Sequence, residues 1–295
     1  MKLSGFTVLV SALLPALCYS FAGSAVSTLL KENESKISKL KDIAAQYPGA
    51  PSDDIFYLRY ALSSKEDDEL ETQLKETLSW RNNEGQDICT AAASAVEAAM
   101  SGGKWDNEVV RDSAPNAASV NKYITPTQCL TTPVNSGDLC YCIRAGKIDD
   151  NALMNEVSLE QMTDFFLYCK EVNALVANMR SEQTDKLVTV LTANDLSGVK
   201  LVGGSADFRK ALSAASTKAN DLYPNLSGPT FLLNLPRLLS ALVKIFTPLF
   251  PDEVRKRLKF EQGPLKDVQD LTEISPSGDA SARALFLKQI DALME

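Results

Sequence analysis

Arg255, Lys256, Arg257 and Lys259 crowd four cations into a short stretch directly after one of the most apolar segments of the chain. Guanidinium and ammonium groups at this density suit phosphate, which guanidinium meets in bidentate fashion and ammonium as a point charge. The apolar segment runs from Arg237 to Phe250. Leu238, Leu239, Leu242, Val243, Ile245, Phe246, Leu249 and Phe250 recur at helical spacing in it. Arg237, Ser240, Lys244 and Thr247 make the only polar stripe, which leaves about two-thirds of the helix surface apolar. Pro248 and Pro251 limit this helix to about 12 residues, roughly 18 Å, too short to cross a bilayer. A helix so apolar is either buried in a core or covers something apolar. On the second reading its side chains wall a cavity for a lipid, and the basic turn at Asp252 to Lys259, read as a second short helix, meets headgroups.

Other chemistries lack their residues. The chain has no histidine. That removes Ser-His-Asp and Cys-His pairs and most zinc sites. No Gly-x-Ser-x-Gly, dinucleotide-binding Gly-rich turn or P-loop occurs. Gly102-Gly103-Lys104 lacks the rest of a P-loop and reads as a helix end. Acidic pairs such as Asp53-Asp54, Asp67-Asp68 and Asp149-Asp150 read as solvated surface or helix caps. No catalytic residue and no metal ligand is therefore assigned. A net charge of -8 and a pI near 4.9 argue against nucleic acid as a partner. They leave local basic contacts with a membrane open.

The elements that must position a cavity can be read around it. Tyr223-Pro224-Asn225-Leu226-Ser227-Gly228-Pro229 is a turn, and Thr230 to Leu235 is a strand closed by Pro236. Lys186 to Thr192 is a β-branched run of central-strand type, and Leu139 to Arg144 alternates between Gly137 and Gly146. Ser158 to Arg180, Ala206 to Leu222 and residues 280–294 carry helical spacing. Earlier, Glu32 to Gln46, the pieces within Asp54 to Arg81, and Cys89 to Met100 are helical. Val109 to Gly137, rich in Ser, Thr, Asn and Pro, reads as a linker or surface loop. The alternation of strands and helices predicts an α/β fold with a mainly parallel sheet. Val188, Val190, Phe231 and Leu233 on the strands, with Leu239, Leu242, Phe246, Leu249 and Phe250 on the apolar helix, are the candidate cavity lining. Arg255, Lys256, Arg257 and Lys259 are the candidate headgroup or membrane contacts.

The amino terminus resembles a secretory leader. Lys2 precedes the apolar stretch Phe6 to Leu17, and small residues follow at Cys18, Ser20, Ala22 and Ala25. Ser20-Phe21-Ala22 resembles the cleavage junction of two-part leaders in algae with secondary plastids. Entry into the secretory pathway is expected, with the plastid as destination and the endoplasmic reticulum or secretion as alternative. Five cysteines remain after the leader: Cys89, Cys129, Cys140, Cys142 and Cys169. The odd count leaves at least one thiol free. Buried thiols are expected, with a bridge from Cys129 to Cys140 or Cys142 as the oxidised alternative. Asn33-Glu34-Ser35 and Asn225-Leu226-Ser227 are glycosylation sequons.

Several stretches together resemble the CRAL-TRIO lipid-binding family, which includes phosphatidylinositol/phosphatidylcholine transfer proteins. Tyr223-Pro224 with Gly228, Asn234-Leu235-Pro236, and Thr247-Pro248-Leu249-Phe250-Pro251-Asp252 follow the family order. Arg59 and Trp80-Arg81 match its helical lobe, and Arg144, Gly146, Lys147, Ile148 and Asp149 match what the family uses as its first sheet strand. Asn194-Asp195-Leu196-Ser197-Gly198 resembles its Asp-Leu-Lys-Gly turn. The resemblance covers Asp54 to Ile274. With the leader at 1–22 set aside, it implies a small helical lobe at 32–104, a linker at 105–137 and a lipid-binding lobe with an apolar gate helix at 138–295. It implies a monomer that holds one phospholipid or isoprenoid-type lipid, needs no other cofactor, contacts membranes transiently and moves its ligand between them without catalysis. The other reading is a docking module with a collapsed pocket. Phosphatidylinositol binders of the family carry Glu-Arg after Tyr-Pro, and a Thr and a Lys in the basic helix. Asn225, Leu226 and Val254 stand at three of these positions, and only the charge of Arg257 remains.

Overall fold

The computed structural model describes residues 25–63, 65–102, 105–199, 204–234, 258–261 and 263–295. A helical region comes first: α1 (Val26–Glu32), α2 (Glu34–Ala44), α3 (Asp54–Ala61), α4 (Asp67–Asn82) and α5 (Gln86–Met100). The Asp53 side chain caps α3 by accepting the Ile55 amide at 2.7 Å. Leu70, Leu74 and Leu78 at helical spacing bury one stripe of α4 against the apolar side of α2 and α3. The fold takes in more of the amino terminus than the helix at Glu32 to Gln46. Ala25 bridges Lys186, the Val26 amide donates to the Asp185 carbonyl at 3.0 Å, and Val26 and Leu29 are buried.

Residues 105–137, read above as a linker, are structured. They hold α6 (Asn107–Asp112), α7 (Ala117–Val120) and β1 (Cys129–Pro133). This corrects the loop reading. β1 is a short edge strand ending in proline, the position a sheet tolerates. Thr132 is buried in it, its hydroxyl donating to the Ile274 carbonyl and accepting from Arg283, so composition alone does not betray it.

β2 (Leu139–Arg144), β3 (Val190–Asp195), β4 (Ser227–Leu233) and β5 (Leu258–Glu261) complete a sheet of order β1-β2-β3-β4-β5. β1 pairs antiparallel with β2, and the other pairs are parallel. Leu139 to Arg144 is thus the second strand of the sheet. Between β2 and β3 come α8 (Asp150–Glu156) and α9 (Leu159–Thr184), and between β3 and β4 comes α10 (Ala206–Leu222). A capping box of Ser158 and Gln161 starts α9. After β5, a 3-10 turn (Leu271–Ile274) leads to α11 (Ala280–Met294).

Helices α9 and α10 cover one sheet face, and the turn at 271–274 with α11 covers the other. The second layer is dry. Cys140, Cys142, Leu191, Ala193, Phe231 and Leu233 pack there against Leu265, Leu271, Ile274, Phe286 and Ile290. Each Leu or Phe buried in this way contributes about 1.5–3 kcal/mol.

Candidate functional site

The residues that carried the family resemblance sit at two structural knots. The first joins the helical region to the sheet. Arg59 on α3 is buried and donates Nε to Asn178 Oδ1, and its two terminal nitrogens to the carbonyls of Asn225 and Val188, each at 2.7 Å. Asn225 answers with its side-chain amide on the Arg59 carbonyl at 2.7 Å. Its left-handed φ of 56° suits asparagine. The sequon amide at Asn225 is therefore buried and occupied. Beside it, Arg81 on α4 forms a two-pronged ion pair with Glu171 on α9, at 2.9 and 2.7 Å. The Tyr223 hydroxyl donates to Glu171 Oε2 at 2.8 Å.

The second knot closes the carboxyl ends of β2, β3 and β4, where open α/β sheets usually hold ligands. Arg144 Nε lies 3.7 Å from Asp195 Oδ2, with both side chains buried. Arg144 also donates to the carbonyls of Leu265, at 3.1 Å, and Gln269. Asp195 Oδ1 accepts from the Ser197 amide and hydroxyl and from Asn234 Nδ2. Gly146 is required here, since a Cβ would meet the Ser197 carbonyl oxygen at 2.2 Å. Arg144, Gly146 and Asp195 thus hold the fold, and the charges of Arg144 and Asp195 face each other and protein carbonyls and donors.

The predicted cavity residues divide between the sheet faces. Val188 and Val190 pack with α9 and α10, whereas Phe231 and Leu233 lie in the dry layer beneath α11. These four do not line one cavity, which corrects the set chosen from sequence. Two features shift the alternation. β3 begins at Val190, since the Val188 amide bonds to Ser181 Oγ and the Thr189 amide to Asp138 Oδ1 before the ladder starts. β4 then carries a bulge: Val190 pairs with Ser227 but Thr192 with Thr230. Thr192, Asn194, Ser227 and Thr230 of β3 and β4 also look toward α9 and α10, and they line a small cleft of about 90 Å³ between the two helices. Asn194 Nδ2 is buried there without a hydrogen-bond partner among the described residues. Leu232, paired with Asn194, shares this face. Sequence reasoning missed this polar patch, whose only signal is the Thr and Asn alternation in Thr192-Ala193-Asn194.

Leu239, Leu242, Phe246, Leu249, Phe250, Arg255, Lys256 and Arg257 lie outside the described residues. Lys259 was read as the end of the basic helix. It is instead in β5, paired with Phe231.

The thiols form no bridges: Cys89, Cys129, Cys140, Cys142 and Cys169 are all free. A link from Cys129 to Cys140 or Cys142 is ruled out by the pleat. Cys129 packs on the α9 side of the sheet and the other two in the dry layer. Burial pushes the Cys89, Cys129 and Cys169 thiols up to about 12, the Glu171 charge adding to the effect at Cys89. Thiolate is the reactive form, so alkylation at pH 8 should run about a thousandfold slower than at an open cysteine and rise with pH. Mass-resolved iodoacetamide labelling of the native protein checks this. Fast labelling of Cys169 would show its burial to be wrong.

A helical region followed by a sequential, mainly parallel sheet with helices on one face and a carboxyl-terminal layer on the other defines an α/β protein of the kind anticipated from the motifs. The sequence profile of the CRAL/TRIO domain matches residues 127–274, half of the chain. The chain belongs to the CRAL/TRIO domain family, a family of lipid-binding and lipid-transfer proteins. Among solved structures, the crystal structure of Sfh5 is similar at 14% identity and a TM-score of 0.45, over 84% of each chain. No curated protein matches the sequence.

Proposed function

We propose that this protein binds one lipophilic molecule, a phospholipid or isoprenoid-type lipid, and moves it between membranes without chemical change. Membership of the CRAL/TRIO family carries this reading. The β2–β3 and β3–β4 connections both place helices on one face, and β4 to β5 is a third parallel step in the same direction. Residues 235–257 make this step, and they hold the apolar stretch Leu239, Leu242, Phe246, Leu249 and Phe250. The ligand then lies over Thr230 and Leu232 rather than Phe231 and Leu233, with Asn194 offering a polar contact at the floor. Arg255, Lys256 and Arg257 follow immediately and suit an anionic membrane surface. A monomer suffices for this task, and the amino-terminal stretch fits delivery through the secretory pathway to a plastid.

Native mass spectrometry after exposure to total membrane lipids tests the reading. One bound lipid per chain is expected, and Leu242→Asp should abolish uptake while far-UV circular dichroism stays unchanged. A protein that stays empty yet sediments with anionic vesicles would replace the carrier with a docking module.

A further inference from the structure

A second cavity lies at the other edge of the sheet, away from β4 and β5. It is an apolar groove of about 360 Å³ between α9, the β1–β2 edge and the segment carrying α6 and α7. One stripe of α9 walls it from Phe165 through Val172, Val176 and Met179 to Gln183. That stripe spans about 27 Å at the helical rise. Met100 and Trp105, 39% and 40% exposed, line it as well.

The charges along the groove are one-sided. Among the described residues no Asp or Glu lines it, although the chain is acidic, whereas Arg111 and Arg180 do. Arg111 is committed, donating to the Ile124 carbonyl at 2.7 Å and to Asn121 Oδ1 at 3.2 Å. Arg180 is not satisfied. Its one side-chain hydrogen bond among the described residues is a long 3.4 Å contact with the Gly137 carbonyl, and its Nε is buried with no partner. A buried guanidinium nitrogen without an acceptor is costly unless a ligand supplies one. We propose that this groove binds a single-chain carboxylate amphiphile of the fatty-acid class. The chain lies along α9, and the carboxylate meets Arg180. The volume stands near the lower bound of small-molecule sites and suits one acyl chain better than a two-chain lipid. The groove is separate from the ligand position proposed over β4, although Cys169 and Asn173 also border the cleft between α9 and α10.

Palmitate titrated into the full chain below its micelle concentration, followed by tryptophan fluorescence, tests the site. Only two tryptophans are present, and Trp105 lines the groove while Trp80 is buried elsewhere. The expected result is saturable one-to-one binding. Arg180→Gln should weaken palmitate about tenfold or more, the scale of one charge-assisted hydrogen bond, and leave hexadecanol binding unchanged. Val176→Trp should block both ligands without affecting the membrane lipid seen by mass spectrometry. Met179→Trp serves the same purpose if the first filler perturbs the circular dichroism spectrum. The proposal is overturned by the absence of saturable binding, by palmitate binding that survives both fillers, or by palmitate lost only in Leu232→Trp.

Discussion

Arg59→Ala should cost about 4 kcal/mol of stability, the largest loss expected from a single side chain outside the sheet. Arg59 is 3% exposed and supplies three hydrogen bonds, to Asn178, Asn225 and Val188. Truncation strands two carbonyls and an amide oxygen where water does not reach, at about 1–3 kcal/mol each when left unpaired. Part of that is recovered by relaxation, which is why the sum is not simply added. A loss of this size lowers the melting midpoint by about 10 °C in a chain this long. Arg59→Lys should fall between, since a single ammonium lacks the planar fork that reaches three acceptors in different directions. Thermal and urea unfolding of the three proteins decide it. A change below about 1 kcal/mol for Arg59→Ala would mean that water enters the junction and that α3 docks on the sheet mainly through its apolar side.

Glu171→Ala should be nearly as damaging, by about 3–5 kcal/mol, for a different reason. It leaves the Arg81 guanidinium and the Tyr223 hydroxyl buried without their acceptor. In the intact protein burial and the Glu171 charge push the Tyr223 hydroxyl well above its ordinary pKa, so it stays a neutral donor to that carboxylate. Removing both charges is the informative comparison. Arg81→Met combined with Glu171→Leu should recover most of the loss, because an apolar pair of similar volume avoids the desolvation cost altogether. If the double variant is as unstable as Glu171→Ala, packing around α4 and α9 rather than the stranded charge is responsible.

These two clamps explain which parts of the molecule the sequence discloses. Helices with long, uninterrupted periodicity are readable: the spans expected at Ala206 to Leu222 and 280–294 coincide with α10 and α11. Motif residues are also readable, but as positions rather than roles. Arg59, Arg81, Arg144 and Asp195 announce themselves by pattern, and nothing in the pattern says that they bind other groups of the protein instead of a ligand. The faces of β3 and β4 are not readable. The first residues of the β-branched run at Lys186 are held by Asp138 and Ser181 rather than by a strand, and the extra residue at Gly228-Pro229 breaks the alternation. A slip of one residue moves every side chain to the opposite layer, so Phe231 and Leu233 change from cavity wall to core. β1 escapes notice because Cys-Leu-Thr-Thr-Pro is too short and too polar to stand out without its partner strand.

The anchoring of Ala25 and Val26 to Asp185 and Lys186 bears on the leader proposed for the amino terminus. A peptidase that trims the amino terminus works against a fixed limit. Cleavage up to Ala22 leaves this anchor whole. Cleavage after Ala25 would cut the bridge to Lys186 and leave the Val26 amide as a charged terminus beside Asp185. Cleavage a few residues further would take Leu29 out of the apolar cluster between α2 and α3. The fold itself therefore marks where processing must stop for the product to remain stable.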